Sequence, residues 1–136
     1  TFFINLKLMD ILEGNGIIYV FQAVIGLSVL RVWLINFNKP SKWRGGSALS
    51  MKEEFEVYGL PDWLIYTVGF LKVTFSLGLL VGFWIPDTIV PSALGIAFFM
   101  FFAILMHLKV KDPIIKSLPA TTFLVLSVLI VLFFEN

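Results

Sequence analysis

Cysteine is absent from this 136-residue chain. That excludes disulfides, thiol nucleophiles, Cys-X-X-Cys redox chemistry, iron–sulfur ligation and covalently attached c-type haem. Histidine occurs once, as His107, so a single chain cannot hold a haem between two histidines. Charge is equally scarce: Asp, Glu, Lys and Arg make up 14% of the residues, where an ordinary soluble domain has about a quarter. The net charge of +1 leaves no basic face long enough to follow phosphates, and nucleic acid is excluded as a partner. No short apolar core is followed by a small-residue cleavage site, so no signal peptide is expected.

What remains is apolar. Hydrophobic residues make up 59% of the chain, with 15 phenylalanines, far too much to leave in contact with water. The charges are grouped, and charge-poor stretches long enough to cross a bilayer separate them. The expected fold is an all-α integral membrane protein, one domain over 1–136, built as a four-transmembrane-helix bundle. The spans are expected at about 16–35, 63–85, 89–106 and 118–134. Gln22 and Arg31 interrupt the first, Lys72 is the only charge in the second, and Pro86 with Asp87 forms a tight turn before the third. The opening "TFFINLKLMDILEGN" is amphipathic and is expected to lie along the membrane interface.

The long loop between spans one and two should contain a short interfacial helix. Ser50 followed by Glu53 has the pattern of a capping box, and Gly59 then Pro61 should stop the helix. Met51, Phe55 and Tyr58 fall on one side at helical spacing, with Lys52, Glu53 and Glu56 around the other. Lys39, Lys42, Arg44 and Lys52 in this loop, with Lys109, Lys111 and Lys116 in the loop between spans three and four, outnumber Lys7 on the opposite side. The positive-inside rule then puts both loops in the cytoplasm and both chain ends outside, in a multi-pass cell (inner) membrane protein.

The stretches "YGLPDWLIYTVGFLKV", "LGLLVGFWIP", "MHLKVKDP" and "KSLPA" come in the order and spacing of a known family. From about Trp43 onwards the chain resembles the DoxX-like family of small four-helix membrane proteins. That resemblance implies a four-helix bundle resident in the membrane and implies no particular reaction. Where related members often carry a glutamate, this chain has Lys72.

Lys72 is the strongest chemical signal. An ionised lysine at mid-bilayer costs about 2.5–3.5 kcal/mol on insertion scales, and such residues usually face the bundle interior. The alternative is a lysine that snorkels or has a structural partner. His107 and Arg31 belong to the same cytoplasmic half as Lys72. Together they suggest a polar pocket lidded by the Ser50–Tyr58 helix, with Glu53, Glu54 or Glu56 as counter-charge. The guest would be a quinone, held by its carbonyl, or a lipid, held by an anionic headgroup. Against that stands the plainer reading of an interfacial histidine and a snorkelling arginine. Catalytic residues are not identifiable, no metal-ligand spacing occurs, and no intrinsic cofactor is expected. Gly78 and Gly82 have the small-xxx-small spacing of close helix packing, expected within the bundle. Trp33, Trp43, Trp63 and Trp84 flank helix ends, as interfacial anchors do.

Three functions compete. Missing chemistry favours a non-catalytic subunit or anchor that packs against other membrane-protein subunits, such as those of a respiratory or redox complex. The alternative is a binding or catalytic site for a small lipophilic ligand around Lys72 and His107. A transporter or channel is disfavoured because no acid lies in a span and no paired half-helix repeat is present.

Overall fold

The computed structural model describes residues 1–5 and 14–135. Most of the amphipathic opening therefore lies outside the described residues. Among the described residues, four helices are long and apolar enough to cross a membrane, covering Gly16–Ile35, Asp62–Val81, Pro86–Lys109 and Ile114–Phe133. The protein is an all-helical membrane protein. Helix α1 spans Gly16–Leu30 and continues as a π-helical turn over Arg31–Ile35, closed by the Asn36 amide donating to the Arg31 carbonyl at 2.9 Å. Helix α2 is Met51–Val57, α3 Asp62–Val81, α4 Ile89–Lys109 and α5 Leu118–Phe133.

Two boundaries differ from those expected. The second span ends at Val81 instead of residue 85, and the chain turns through Gly82–Ile85 into a short 3-10 turn at Pro86–Thr88. Proline at the head of that turn loses no helical hydrogen bond. The third span runs on past Met106 to Lys109, so His107 sits in its last turn.

Antiparallel packing follows from the pairs that meet. A Cβ on Gly26 would lie 2.9 Å from the Leu80 side chain, and one on Gly69 would lie 2.8 Å from the Trp33 ring. Thus α1 runs against α3. Gly78 faces Ser92, and Gly95 faces Phe75, which sets α4 against α3. Asn15 and Glu135 exchange hydrogen bonds that tie the start of α1 to the end of α5. The ring order is α1–α3–α4–α5. Gly78 and Gly82 both point inside the bundle, towards Ser92, Ile89 and Gln22. Their spacing serves close packing there, where dispersion contacts hold helices together in lipid.

Ile25, Leu79, Ile89, Ile96 and Ile130 are fully buried and form the central seam. Gln22 is buried with them, its Nε2 donating to the Leu79 carbonyl at 2.8 Å. The outer surface is rich in Phe, Leu, Ile and Val, as expected where the solvent is hydrocarbon.

Helix α2 forms as its sequence dictates. The Ser50 side chain accepts from the Glu53 amide at 3.2 Å, and the Glu53 carboxylate reaches back to the Leu49 amide at 2.9 Å. The reciprocal arm therefore lands one residue before the N-cap. At the other end Gly59 takes φ +75°, and the Leu60 amide donates to the Phe55 carbonyl. That left-handed residue closes the helix as glycine does at many C-termini. Met51, Phe55 and Tyr58 are buried against the bundle, so α2 and the preceding loop cap one end of it.

Candidate functional site

Beneath this cap lies a chamber of about 600 Å³. Its walls are Val29, Val32 and Trp33 from α1, Leu64, Val68 and Lys72 from α3, Phe99, Phe102, Ala103 and Met106 from α4, and Ala120 and Phe123 from α5. Met51 and Phe55 of α2, Tyr58 at its C-terminal end and Trp43 of the loop roof it. The lining is overwhelmingly apolar, and its polar groups fall into two sets.

The first set is at the cap. Arg44 is buried, and its guanidinium pairs with Glu54 at 2.9 Å while also donating to the carbonyls of Lys39, Asn36 and Phe37. Such a fork can satisfy several acceptors at once. The Tyr58 hydroxyl donates to the other Glu54 oxygen at 2.8 Å. Burial, and then the Glu54 carboxylate beside it, push this hydroxyl above the usual phenol range, so it stays a donor. The Tyr58 ring meets His107 edge-on at a centroid distance of 5.9 Å.

His107 Nδ1 lies 2.7 Å from Asp112 Oδ2. Burial pushes the Asp112 carboxyl up, but the hydrogen bonds from His107 and the Gly46 amide, with the Lys116 charge nearby, outweigh it and hold it below the usual range. An ionised carboxylate only accepts, so Nδ1 carries the proton and donates. Asp112 also accepts from the Gly46 amide at 3.0 Å. Lys116 donates to the Arg44 and Gly46 carbonyls, and Lys109 donates to the Tyr58 carbonyl at 2.7 Å. The α4–α5 turn thus latches the cap over the chamber.

The second set is Lys72 alone. Its ammonium stands 5.5 Å from the centre of the Trp33 ring and 5.9 Å from that of Phe99. Among the described residues it has neither a hydrogen-bond nor an ion-pair partner.

Of the residues expected at a site, Lys72, His107 and Glu54 line the chamber. Arg31, Glu53 and Glu56 do not. Arg31 is exposed on the π-turn, Glu53 is spent on the helix cap, and Glu56 lies on the exposed face of α2. Arg44, Tyr58 and Asp112 complete the network without having been expected there. Tyr58 carried a signal, its helical register with Met51 and Phe55. Arg44 and Asp112 carried none, since their partners are fixed by a loop path. The tryptophans divide. Trp63 and Trp84 are exposed near helix ends as anchors would be, whereas Trp33 is buried beside Lys72 and Trp43 lines the chamber under Lys42.

These features define a small four-helix membrane protein with a capped internal chamber. The DoxX-like family model matches residues 45–130. That is well over half of the chain, and the chain belongs to the DoxX-like family. The match takes in the cap from Gly45 and α2 to α4, with most of α5, while Trp33 on α1 lies before it. Neither the curated proteins nor the solved structures yielded a match.

Proposed function

We propose that this protein binds a small lipophilic molecule in the chamber under its cap. The chamber carries the reading. Small-molecule sites typically measure about 300–1,000 Å³, with mostly apolar walls and a few placed polar groups, and this one has that size and character. Phe98 and Phe102 line it yet are 57% and 43% exposed, so a guest has an approach on the α4 side. Quinones and lipids both join an apolar body to a hydrogen-bonding head and suit such a space.

The positive-inside rule supports a cytoplasmic capped end, because all seven loop cations gather there. Subunit or anchor status in a larger complex is the second reading. Its support is the exposed remainder of the cap charges, Lys39, Lys42, Lys52 and Glu56, which face away from the chamber.

The test is extraction of the protein purified in mild detergent, followed by mass spectrometry of what it held. One lipophile near one per chain is expected, and Ala103→Trp, which fills the chamber, should lose it while remaining folded. Only bulk lipid, in the proportions of the source membrane and unchanged by Ala103→Trp, would refute the binding role. A foreign membrane subunit retained in place of any small molecule would favour the second reading.

A further inference from the structure

Resting on that binding role, the charges of the chamber define the head of the guest. Three cations line it, Lys72, Arg44 and Lys116, against one carboxylate, Glu54. Glu54 is already committed on both oxygens, to Arg44 and to Tyr58. Lys116 is held by two backbone carbonyls, and the ionised Asp112 carboxylate nearby offsets its charge. His107 is turned onto Asp112. Each charged group at the cap is therefore bonded, His107 Nε2 has no hydrogen-bond partner among the described residues, and the cation left without a bonded partner is Lys72.

Lys72 differs. It stands over the rings of Trp33 and Phe99, which favour a cation but leave its donors unused. An ammonium has three donors. In apolar surroundings such a group gains most from an ionised oxygen, where the hydrogen bond is charge-assisted on both sides. We infer that the guest is an amphiphile with a single anionic headgroup, seated against Lys72, with its apolar chain along Val68, Ala103 and Phe123. A neutral lipophile would leave the ammonium as it stands.

Trp33 provides a reporter, because its ring is 5.5 Å from the Lys72 ammonium. Bromine quenches tryptophan emission at contact distance. The detergent-solubilised protein is titrated with a brominated fatty acid, the matching brominated fatty alcohol and a brominated phosphatidylglycerol, with Trp33→Phe as the background. An anionic probe should quench Trp33 and bind about tenfold tighter than the alcohol, the difference between a charged and a neutral hydrogen bond. Lys72→Met should abolish that preference, with acid and alcohol then quenching Trp33 equally, and that residual quenching shows that the variant is folded. Lys72→Arg should restore it.

Tighter binding of the acid than of the phospholipid would mark a free single-chain amphiphile as the source, and the reverse a membrane lipid. Both support the inference. Equal binding of acid and alcohol in the unaltered protein would overturn it yet leave the chamber a lipophile site. So would a preference that survives Lys72→Met. Absence of quenching by every probe would remove the binding role itself.

Discussion

Asp112 holds the cap shut, and its removal should be measurable as faster opening. When the cap lifts, the bond from the Gly46 amide to Asp112 must break, whereas the bond from His107 to Asp112 can persist, because both residues lie on the α4 side. Only the first contributes to the opening equilibrium. A hydrogen bond to a charged group is worth about 1.5–3 kcal/mol. In Asp112→Ala the cap should therefore open roughly 10- to 150-fold more often, at about 1.4 kcal/mol per decade. The stranded His107 adds in the same direction, since it would find water only in the open state.

The chain has no native thiol, so a single reporter can be placed at Ala48, which is buried within the cap loop. Its alkylation rate in detergent follows the opening equilibrium when closing is fast. The pH dependence supplies a second reading of the same contact. The folded value for Asp112 is depressed, so its contribution is full above the ordinary carboxylate value near 3.9 and is lost as pH falls through the folded value. Alkylation of the Ala48→Cys protein, corrected for thiolate, should stay flat down to about pH 4 and rise below it. The Asp112→Ala background should lack that rise. An alkylation rate unchanged by Asp112→Ala would refute the latch.

Ser50→Ala removes the acceptor for the Glu53 amide and should lower cap stability by about 1 kcal/mol, read as a several-fold faster alkylation of the same thiol. For sidedness, thiols at Ser47 and Asp87 sit at opposite ends of the bundle and are both exposed. In intact cells an impermeant reagent should label Asp87→Cys and spare Ser47→Cys, and the opposite pattern would invert the proposed orientation.

The spans were legible because a bilayer demands a long apolar run wherever a helix crosses it. The signal is redundant, and even Lys72 and Gln22 do not obscure it. The α2 cap was legible for a different reason: Ser50, Glu53 and Gly59 act within a few residues of one another. The chamber was only partly legible. Lys72 stood out because a lone cation in a span needs an explanation, and His107 because the chain has no other histidine. Arg44 and Asp112 looked like ordinary loop charges, and nothing local shows that the loop folds back to set Gly46 on Asp112. Arg31 misled because depth along a helix says nothing of direction around it. The π-turn that follows Leu30 changes the register just where Arg31 and Trp33 diverge, one outward and one inward.

The two sets of polar groups in the chamber obey different physics. At the cap, Arg44, Glu54, Tyr58, His107, Asp112 and Lys116 are bonded to one another or to backbone carbonyls. A network satisfied in this way makes a roof with one arrangement. Lys72 sits apart, against aromatic faces, and makes no hydrogen bond to the network. If the lysine served stability alone, an apolar side chain of its size would serve better, since an unpaired charge in apolar surroundings costs free energy. The roof is thus the element that closes, and Lys72 is the element left with donors to offer. A bonded roof over a lysine with unused donors is the arrangement that the proposed anionic guest requires.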